Sequence, residues 1–316
     1  MTYGIMITPD DGIPYEFTAD SMFVAIGASG VTPQGVIYRY DTQYTPPVGY
    51  DLVVYISDPF PSPTDYTKQM RYRINASGHV ELYIDAGGSN VWFYGLFYII
   101  YLIPQLAGGA YGSYGFNIYG NNRYIGLSDN NYIYNTSFVG EVDIYTGWRP
   151  VKINSRYTAQ NSVCFFYIDN QNYSIIHTYS SDLALRVFLR GTDNYTHGHS
   201  LKAKIVILER GNPVPGTWGI NIYAANGGLA FASGQKQVGT GRIGRIRDVG
   251  ATVFEGISRP MFIPQNVATK GDYQYALGNS GNAILPVPYR WNTTTRYLQM
   301  SELNSLFIDA ADYFHF

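Results

Sequence analysis

The segment Tyr3-Gly4-Ile5-Met6-Ile7 recurs later in the chain as Tyr114-Gly115-Phe116-Asn117-Ile118-Tyr119 and as Trp218-Gly219-Ile220-Asn221-Ile222-Tyr223. Alternate residues of a strand share a face, and in all three copies one face is aromatic or aliphatic. The glycine on the other face marks a close backbone approach or room for a neighbouring ring. Each copy, called a head below, therefore predicts a β-strand.

The sequence after each head repeats as well. A polar turn comes first: Pro9-Asp10-Asp11-Gly12, Gly120-Asn121-Asn122-Arg123 or Ala225-Asn226-Gly227-Gly228. Asp-Gly and Asn-Gly favour tight hairpins because both residues tolerate positive φ. Each turn leads to an apolar anchor followed closely by Thr or Ser: Phe17 and Thr18, Leu127 and Ser128, Phe231 and Ser233.

Later parts of the copies also correspond. The apolar run Val53–Ile56 matches Phe165–Ile168 and, more loosely, Met261–Ile263, while the end Tyr101–Pro104 matches Ile207–Arg210. Gly108-Gly109 and Pro213, Pro215 and Gly216 indicate linkers. We predict an all-β fold of three tandem β-sandwich-like modules with short linkers, at residues 1–110, 111–214 and 215–316. The alternative is coincidence in a chain rich in Gly and Tyr.

The sequence of the first module predicts a β-hairpin. Met70, Tyr72 and Ile74 alternate with arginines, Asn75-Ala76-Ser77-Gly78 forms a turn, and Val80, Leu82 and Ile84 alternate with polar residues. Such a pair has one apolar and one charged face. A second sheet must cover the apolar face, which predicts a two-sheet sandwich.

Composition limits the partners. Aromatic residues make up 16% of the 316-residue chain, charged residues 14%, and the net charge is −2. That charge argues against a nucleic-acid partner, which needs a basic surface. The most apolar run, Val91–Ile103, is shorter than the ~20 residues of a spanning helix, so we expect buried strands and no membrane span. The N-terminus shows no secretion signal.

The search for chemistry finds no strong motif. The single cysteine, Cys164, lies in an apolar run, so we predict a buried core thiol rather than a nucleophile. His197-Gly198-His199 lacks further ligands for a metal site and reads as a polar loop. Acidic residues are scattered, without a pair that marks a glycosidase: Glu16, Asp20, Glu81, Asp85, Glu141, Asp143 and Glu255. We therefore predict no enzyme, no catalytic, metal or cofactor-binding residues, and no cofactor; binding residues stay unknown.

Two further segments carry expectations. The basic strand Arg242-Ile243-Gly244-Arg245-Ile246-Arg247 either contacts an acidic partner or, as we favour, forms a solvated edge strand. The all-aromatic segment Tyr313-Phe314-His315-Phe316 would be costly to expose, so we expect it to be buried in the fold or in an interface.

The heads, turns and anchors resemble the opening of a group of tailed-bacteriophage tail proteins. Met1-Thr2-Tyr3-Gly4-Ile5 through Thr18 fits this pattern, which recurs at Tyr114 and Trp218, although Arg123 departs from the glycine of the other two turns. The resemblance implies a virion component of the tail tip, baseplate or tail fibre, made in the host cytoplasm.

A protein of this kind would act as an adaptor among other phage tail proteins in a symmetric multimeric assembly. A host-receptor-binding role, to a cell-surface glycan or protein, is implied as well. Two alternatives stay open from the residues: a tail-associated polysaccharide depolymerase and a carbohydrate-binding adhesin array.

Overall fold

Strands make up nearly all the regular structure of this chain in a computed structural model. The structure describes residues 4–7, 15–18, 25–36, 39–48, 50–60, 69–84, 92–104, 115–120, 123–128, 134–178, 182–192, 200–209, 221–223, 229–232 and 241–316. Two 3-10 helices, Pro150–Lys152 and Ala310–Asp312, are the helical elements within those ranges. The predicted all-β class, with several separate sheets, is confirmed.

We describe the chain as three units, each opening on a head. Unit 1 contains β1 (Gly4–Ile7), β2 (Tyr15–Thr18), β3 (Ala25–Val31), β4 (Gln34–Val36), β5 (Arg39–Asp41), β6 (Tyr50–Ile56), β7 (Met70–Ile74), β8 (Val80–Ile84), β9 (Trp92–Tyr94) and β10 (Phe97–Pro104). Unit 2 contains β11 (Gly115–Gly120), β12 (Arg123–Ser128), β13 (Asn135–Tyr145), β14 (Ser162–Tyr167), β15 (Tyr173–His177), β16 (Leu185–Leu189) and β17 (Ser200–Glu209). Unit 3 contains β18 (Asn221–Tyr223), β19 (Leu229–Ala232), β20 (Gly241–Gly244), β21 (Thr252–Val253), β22 (Pro260–Phe262), β23 (Asn266–Ser280), β24 (Ala283–Met300) and β25 (Ser305–Asp309).

Each head pairs with its own anchor as an antiparallel hairpin. Ile5 lies opposite Phe17 in β1–β2, and Phe116 lies opposite Leu127 in β11–β12. In β18–β19 the anchor Phe231 lies opposite Ile222, which shifts the register by two residues relative to the other hairpins. A shift of two residues preserves the two-residue alternation of a strand, so the repeat tolerates it. The leading aromatic residues, Tyr3, Tyr114 and Trp218, lie outside the described residues.

The strands that follow each head form a three-stranded antiparallel sheet with one strand order in all units. The last strand of the unit lies between the first and the middle strand: β3-β10-β6, β13-β17-β14 and β20-β25-β22. A second hairpin is inserted between the middle and the last strand, as β7–β8, β15–β16 or β23–β24. The middle strands β6, β14 and β22 contain the apolar runs that matched in the sequence. Shared strand order supports the repeat independently of the head motif.

Units 2 and 3 are joined through their middle strands. Phe166 of β14 pairs with Phe262 of β22, so six strands form one sheet in the order β13-β17-β14-β22-β25-β20. This sheet crosses the boundary predicted at residues 214 and 215. The proposed linkers around Gly108-Gly109 and Pro213 lie outside the described residues, and the three module boundaries stay a prediction.

Unit 1 has the predicted sandwich. The hairpin β7–β8 forms with the expected register, Met70 opposite Ile84 and Ile74 opposite Val80. Its apolar face packs against Val54 and Ile56 of β6 in one buried cluster. Two strands, β9 and β10, take up the apolar run that we expected to form buried strands.

A second, larger core is shared by all three units. Tyr55 and Tyr101 from unit 1, Phe166 from unit 2, and Phe262 and Phe307 from unit 3 belong to the same buried cluster. Hydrogen bonds join the units around this cluster. The Tyr55 hydroxyl donates a hydrogen bond to the carbonyl of Pro264, and Ser29 Oγ donates one to the carbonyl of Ala159 at 2.6 Å. The units therefore form one body around a common core.

The first strand of each unit's sheet carries a glycine covered by an aromatic ring. A Cβ added at Gly27 would meet Tyr44, one at Gly140 would meet Phe138, and one at Gly244 would meet Phe254, with nearest distances of 2.3, 2.6 and 2.5 Å. β13 and β20 are the two edges of the six-stranded sheet. A ring laid over a glycine shields the backbone of an edge strand.

Among the described residues, no helix is long and apolar enough to span a membrane.

Candidate functional site

A cluster of aromatic rings and cations lies on the six-stranded sheet where units 2 and 3 meet, with Phe316 as its exposed member. Tyr167 ends β14, and Lys204 lies opposite it in β17. Arg259 directly precedes β22, while Phe314 and Phe316 follow the 3-10 helix Ala310–Asp312. We call these five residues the aromatic–cation patch. Four separate segments supply it, so it exists only when the two units are joined.

Each ring of the C-terminal segment in the patch has a cation beside it. Lys204 Nζ lies 4.9 Å from the ring centre of Phe314 and 5.2 Å from that of Phe316. Arg259 Cζ lies 5.0 Å from the ring centre of Phe316. Tyr167 meets the Phe316 ring edge-on, with the ring centres 5.4 Å apart. Cation–ring contacts of this length stabilise by about 0.5–1 kcal/mol at exposed sites, so they orient Phe316.

Hydrogen bonds fix the polar side of the patch. Arg259 Nη1 donates to the Tyr167 hydroxyl at 3.2 Å, and that hydroxyl donates to the carbonyl of Gly281 at 3.2 Å. Burial raises the pKa of Tyr167, and the hydrogen bond to Tyr167 raises the pKa of Arg259. Both groups therefore keep their protons near neutral pH. The patch can hold a partner by stacking and hydrogen bonding, and these two groups offer no proton for transfer.

The aromatic segment at residues 313–316 is buried only in part. Tyr313 is 3% exposed, Phe314 is half-buried, His315 is exposed, and Phe316 is 57% exposed. Tyr313 belongs to the common core, as expected for burial in the fold. Phe316 is not buried in the fold, because the two cations and the Tyr167 ring cover only part of its surface; its burial in an interface stays a prediction.

Cys164 is a core thiol, as its apolar neighbours predict. It is 2% exposed in the common core, and burial raises its pKa well above the ordinary value. A thiol held in the protonated form is a poor nucleophile. The metal candidate His197-Gly198-His199 lies outside the described residues. Within the described ranges, no three His, Cys, Asp or Glu side chains come close enough to hold a metal ion.

The described carboxylates are mostly engaged with basic residues or with backbone groups. Glu81 accepts from Arg73 at 2.6 Å, and Glu141 accepts from Lys202 at 3.3 Å. The hydrogen bond from Lys202 lowers the pKa of Glu141. A glycosidase acid needs the opposite shift, a raised pKa. Asp20 and Asp85 lie outside the described residues, and the side chain of Glu16 is not described.

Residues 242–244 of the basic segment lie in an edge strand, and residues 245–247 follow it outside the strand; contact with an acidic partner stays a prediction. β20 lies at one end of the six-stranded sheet. Arg242 Nε donates to the carbonyl of Glu255 at 3.1 Å, and Arg245 Nε donates to the carbonyl of Ser301 at 3.0 Å. These two arginines therefore hold neighbouring segments of unit 3.

The patch was not predicted from the sequence. Neither Lys204 nor Arg259 belongs to a motif in the sequence, and only the pairing of β14 with β17 and β22 brings them to Phe316. The aromatic residues at 313–316 were the one local signal of this site.

The comparisons with known proteins place the chain in a family without assigning it a function. A family model described as a family of unknown function, DUF6453, matches residues 54–276, and the chain belongs to this family. No curated protein matches the chain. No solved structure matches it either.

Proposed function

We propose that this member of a family of unknown function is a structural, non-catalytic component of a bacteriophage tail tip or baseplate. It acts there as an adaptor that contacts other tail proteins and, through its outward surfaces, the host receptor. The observation that supports the proposal is the threefold recurrence of the head hairpin. The head is the motif that resembles phage tail proteins, and it introduces the same strand order in each unit.

The construction of the molecule suits a mechanical role. Three units share one core, and units 2 and 3 share a hydrogen-bonded sheet, so force on one unit passes to the others. The aromatic–cation patch supplies a contact surface. Aromatic residues and arginine are enriched at protein interfaces, and Phe316 presents 57% of its surface. In this proposal the patch binds a neighbouring tail protein.

The experiment uses particles of a phage whose genome encodes the chain. Quantitative mass spectrometry of gradient-purified virions should find the chain at a constant copy number per particle. Cross-links from Lys202 or Lys204 should lead to another tail protein. Particles that lack the chain while it accumulates in the lysate would contradict the proposal.

A matched pair of variants locates the contact. Phe316→Ala removes the exposed ring, while Val48→Ala removes an apolar side chain that is 90% exposed in unit 1. We expect Phe316→Ala to lower incorporation into particles and Val48→Ala to leave it unchanged. Equal incorporation of both variants would remove the patch from the proposal and leave the virion assignment intact.

One observation favours a second candidate, carbohydrate binding. An exposed ring beside two cations suits stacking on a sugar with polar contacts at its rim. A glycan array probed with the purified chain tests this candidate, and Phe316→Ala should abolish any signal. The depolymerase alternative stays a prediction. The lowered pKa of Glu141 argues against this residue as the general acid of such an enzyme.

A further inference from the structure

A buried histidine lies at the contact between units 1 and 2. His177 ends β15 in unit 2 and is 2% exposed. Its ring meets Phe97 of unit 1 edge-on, with ring centres 5.8 Å apart and an interplanar angle of 82°. Phe97 is the first residue of β10, and its carbonyl accepts from the backbone N–H of Ser57 at 2.9 Å. The imidazole therefore packs against a fixed part of unit 1.

Few polar groups face this ring. Nδ1 donates to the carbonyl of Leu183 at 3.3 Å. Asp182, in the same turn, is the carboxylate whose charge acts on His177, and it is held by Arg149 at 2.9 Å. The facing residue from unit 1 is the apolar Phe97, and the cross-strand neighbour on β16 is Leu185. Arg186 lies opposite Ile176, on the other face of the hairpin.

We propose that the contact of His177 with Phe97 is a pH-sensitive latch, which acidification opens between unit 1 and unit 2. A proton on the ring places a charge against Phe97 and Leu185, where water is excluded. Opening returns that charge to water. This inference concerns the fold and goes beyond the proposed function.

The direction and size of the effect follow from linkage. Burial lowers the pKa of His177 to about 4, whereas the pKa of an exposed histidine is about 6.5. The contact is therefore fully stabilised above pH 6.5 and weakens as the pH falls toward 4. Between pH 6.5 and pH 4 only the open form takes up the proton. The equilibrium constant for opening therefore rises about tenfold for each pH unit of acidification.

Other contacts limit the motion. Two hydrogen bonds also hold unit 1 to unit 3. The Tyr55 hydroxyl donates to the carbonyl of Pro264, and the backbone N–H of Asn266 donates to the carbonyl of Ser57 at 3.1 Å. Units 2 and 3 are held by backbone hydrogen bonds of the six-stranded sheet. These hydrogen bonds do not titrate between pH 4 and 7. The latch therefore opens the contact of unit 1 with unit 2, which includes the hydrogen bond from Ser29 to Ala159, while unit 3 stays in place.

The single cysteine serves as a built-in reporter. Cys164 is buried in unit 2 beside Tyr101 of unit 1, so opening of this contact makes it reactive. Labelling with 4,4′-dithiodipyridine, which works in acid, is followed from pH 7.5 to 4.5 and divided by the rate for the urea-unfolded chain. The relative rate should rise about tenfold per pH unit below pH 6.5. A flat profile would overturn the latch.

Variants separate His177 from other groups. His177→Gln keeps a donor for the Leu183 carbonyl without a charge, and His177→Phe keeps the ring; both should give flat profiles. His79→Gln is the control, because His79 is a partly exposed histidine paired with Asp41 at 3.0 Å, and its profile should match the unchanged protein. A slope that survives in His177→Gln would refute the role of His177.

Hydrogen exchange separates the latch from general acid unfolding. At pH 5, after correction for intrinsic rates, β15–β16 and the start of β10 should lose protection before β24 and β25. Equal loss across the three units would mean that acid unfolds the whole chain, which would overturn the proposal even if the labelling profile were steep.

Discussion

Asn279 offers the sharpest test of how units 2 and 3 are joined. It lies near the end of β23 and is 0% exposed. Its Oδ1 accepts from the backbone N–H of Ile168 at 2.8 Å and from that of Asp169 at 3.2 Å, and its Nδ2 donates to the carbonyl of Pro260 at 2.8 Å. One amide thus bridges the end of β14 and the start of β22.

The substitution Asn279→Ala removes all three hydrogen bonds. The N–H of Ile168 and the carbonyl of Pro260 belong to buried residues, and each lost partner costs about 1–3 kcal/mol. Asp169 is exposed, so water replaces its partner at little cost. We therefore expect the free energy of unfolding to fall by about 2–6 kcal/mol.

Urea unfolding at pH 7.5, followed by tryptophan fluorescence, measures this loss. Trp148 is 3% exposed in the common core and reports the folded state. Asn172→Ala is the control, an exposed asparagine in the same region, and should change stability by less than about 0.5 kcal/mol. If Asn279→Ala matched this control, the amide bridge would not hold the two units together.

Three further predictions concern the core and its edges. Gly140→Ala should lower stability by about 1–3 kcal/mol in thermal unfolding, because the new Cβ would lie 2.6 Å from the Phe138 ring; an unchanged midpoint would contradict the ring's position. Tyr313→Ala should cost about 3–5 kcal/mol in urea unfolding, as for other buried aromatic residues, and Phe316→Ala less than about 1 kcal/mol. A reversed order would contradict the burial of the C-terminal segment. The Cys164 thiol should resist alkylation at pH 8 in the native protein and react on unfolding, and rapid native labelling would contradict its burial.

The alternation of apolar residues around a turn predicted the hairpins of the fold correctly. The hairpin β7–β8 formed with its expected register because its apolar residues alternate on both sides of a turn that ends in Gly78, whose φ of +80° suits glycine. The heads paired with their anchors for the same reason. The middle strands formed where the apolar runs were long enough to be buried on both faces.

Long-range pairing could not be predicted in the same way. The last strand of each unit lies between two earlier ones, and nothing in the local sequence of β10 or β17 specifies which strands flank it. The pairing of Phe166 with Phe262 joins residues from two different repeats. The aromatic–cation patch depends on that pairing, so its residues had no shared signal in the sequence.

The central claim is that three repeats of one unit fold as a single body around a common core. Differential scanning calorimetry of the whole chain at pH 7.5, where the latch at His177 is closed, tests it most directly. We predict one unfolding transition whose calorimetric enthalpy equals its van't Hoff enthalpy. Two or three separate transitions, each with its own midpoint, would show that the units fold independently and would contradict the shared core.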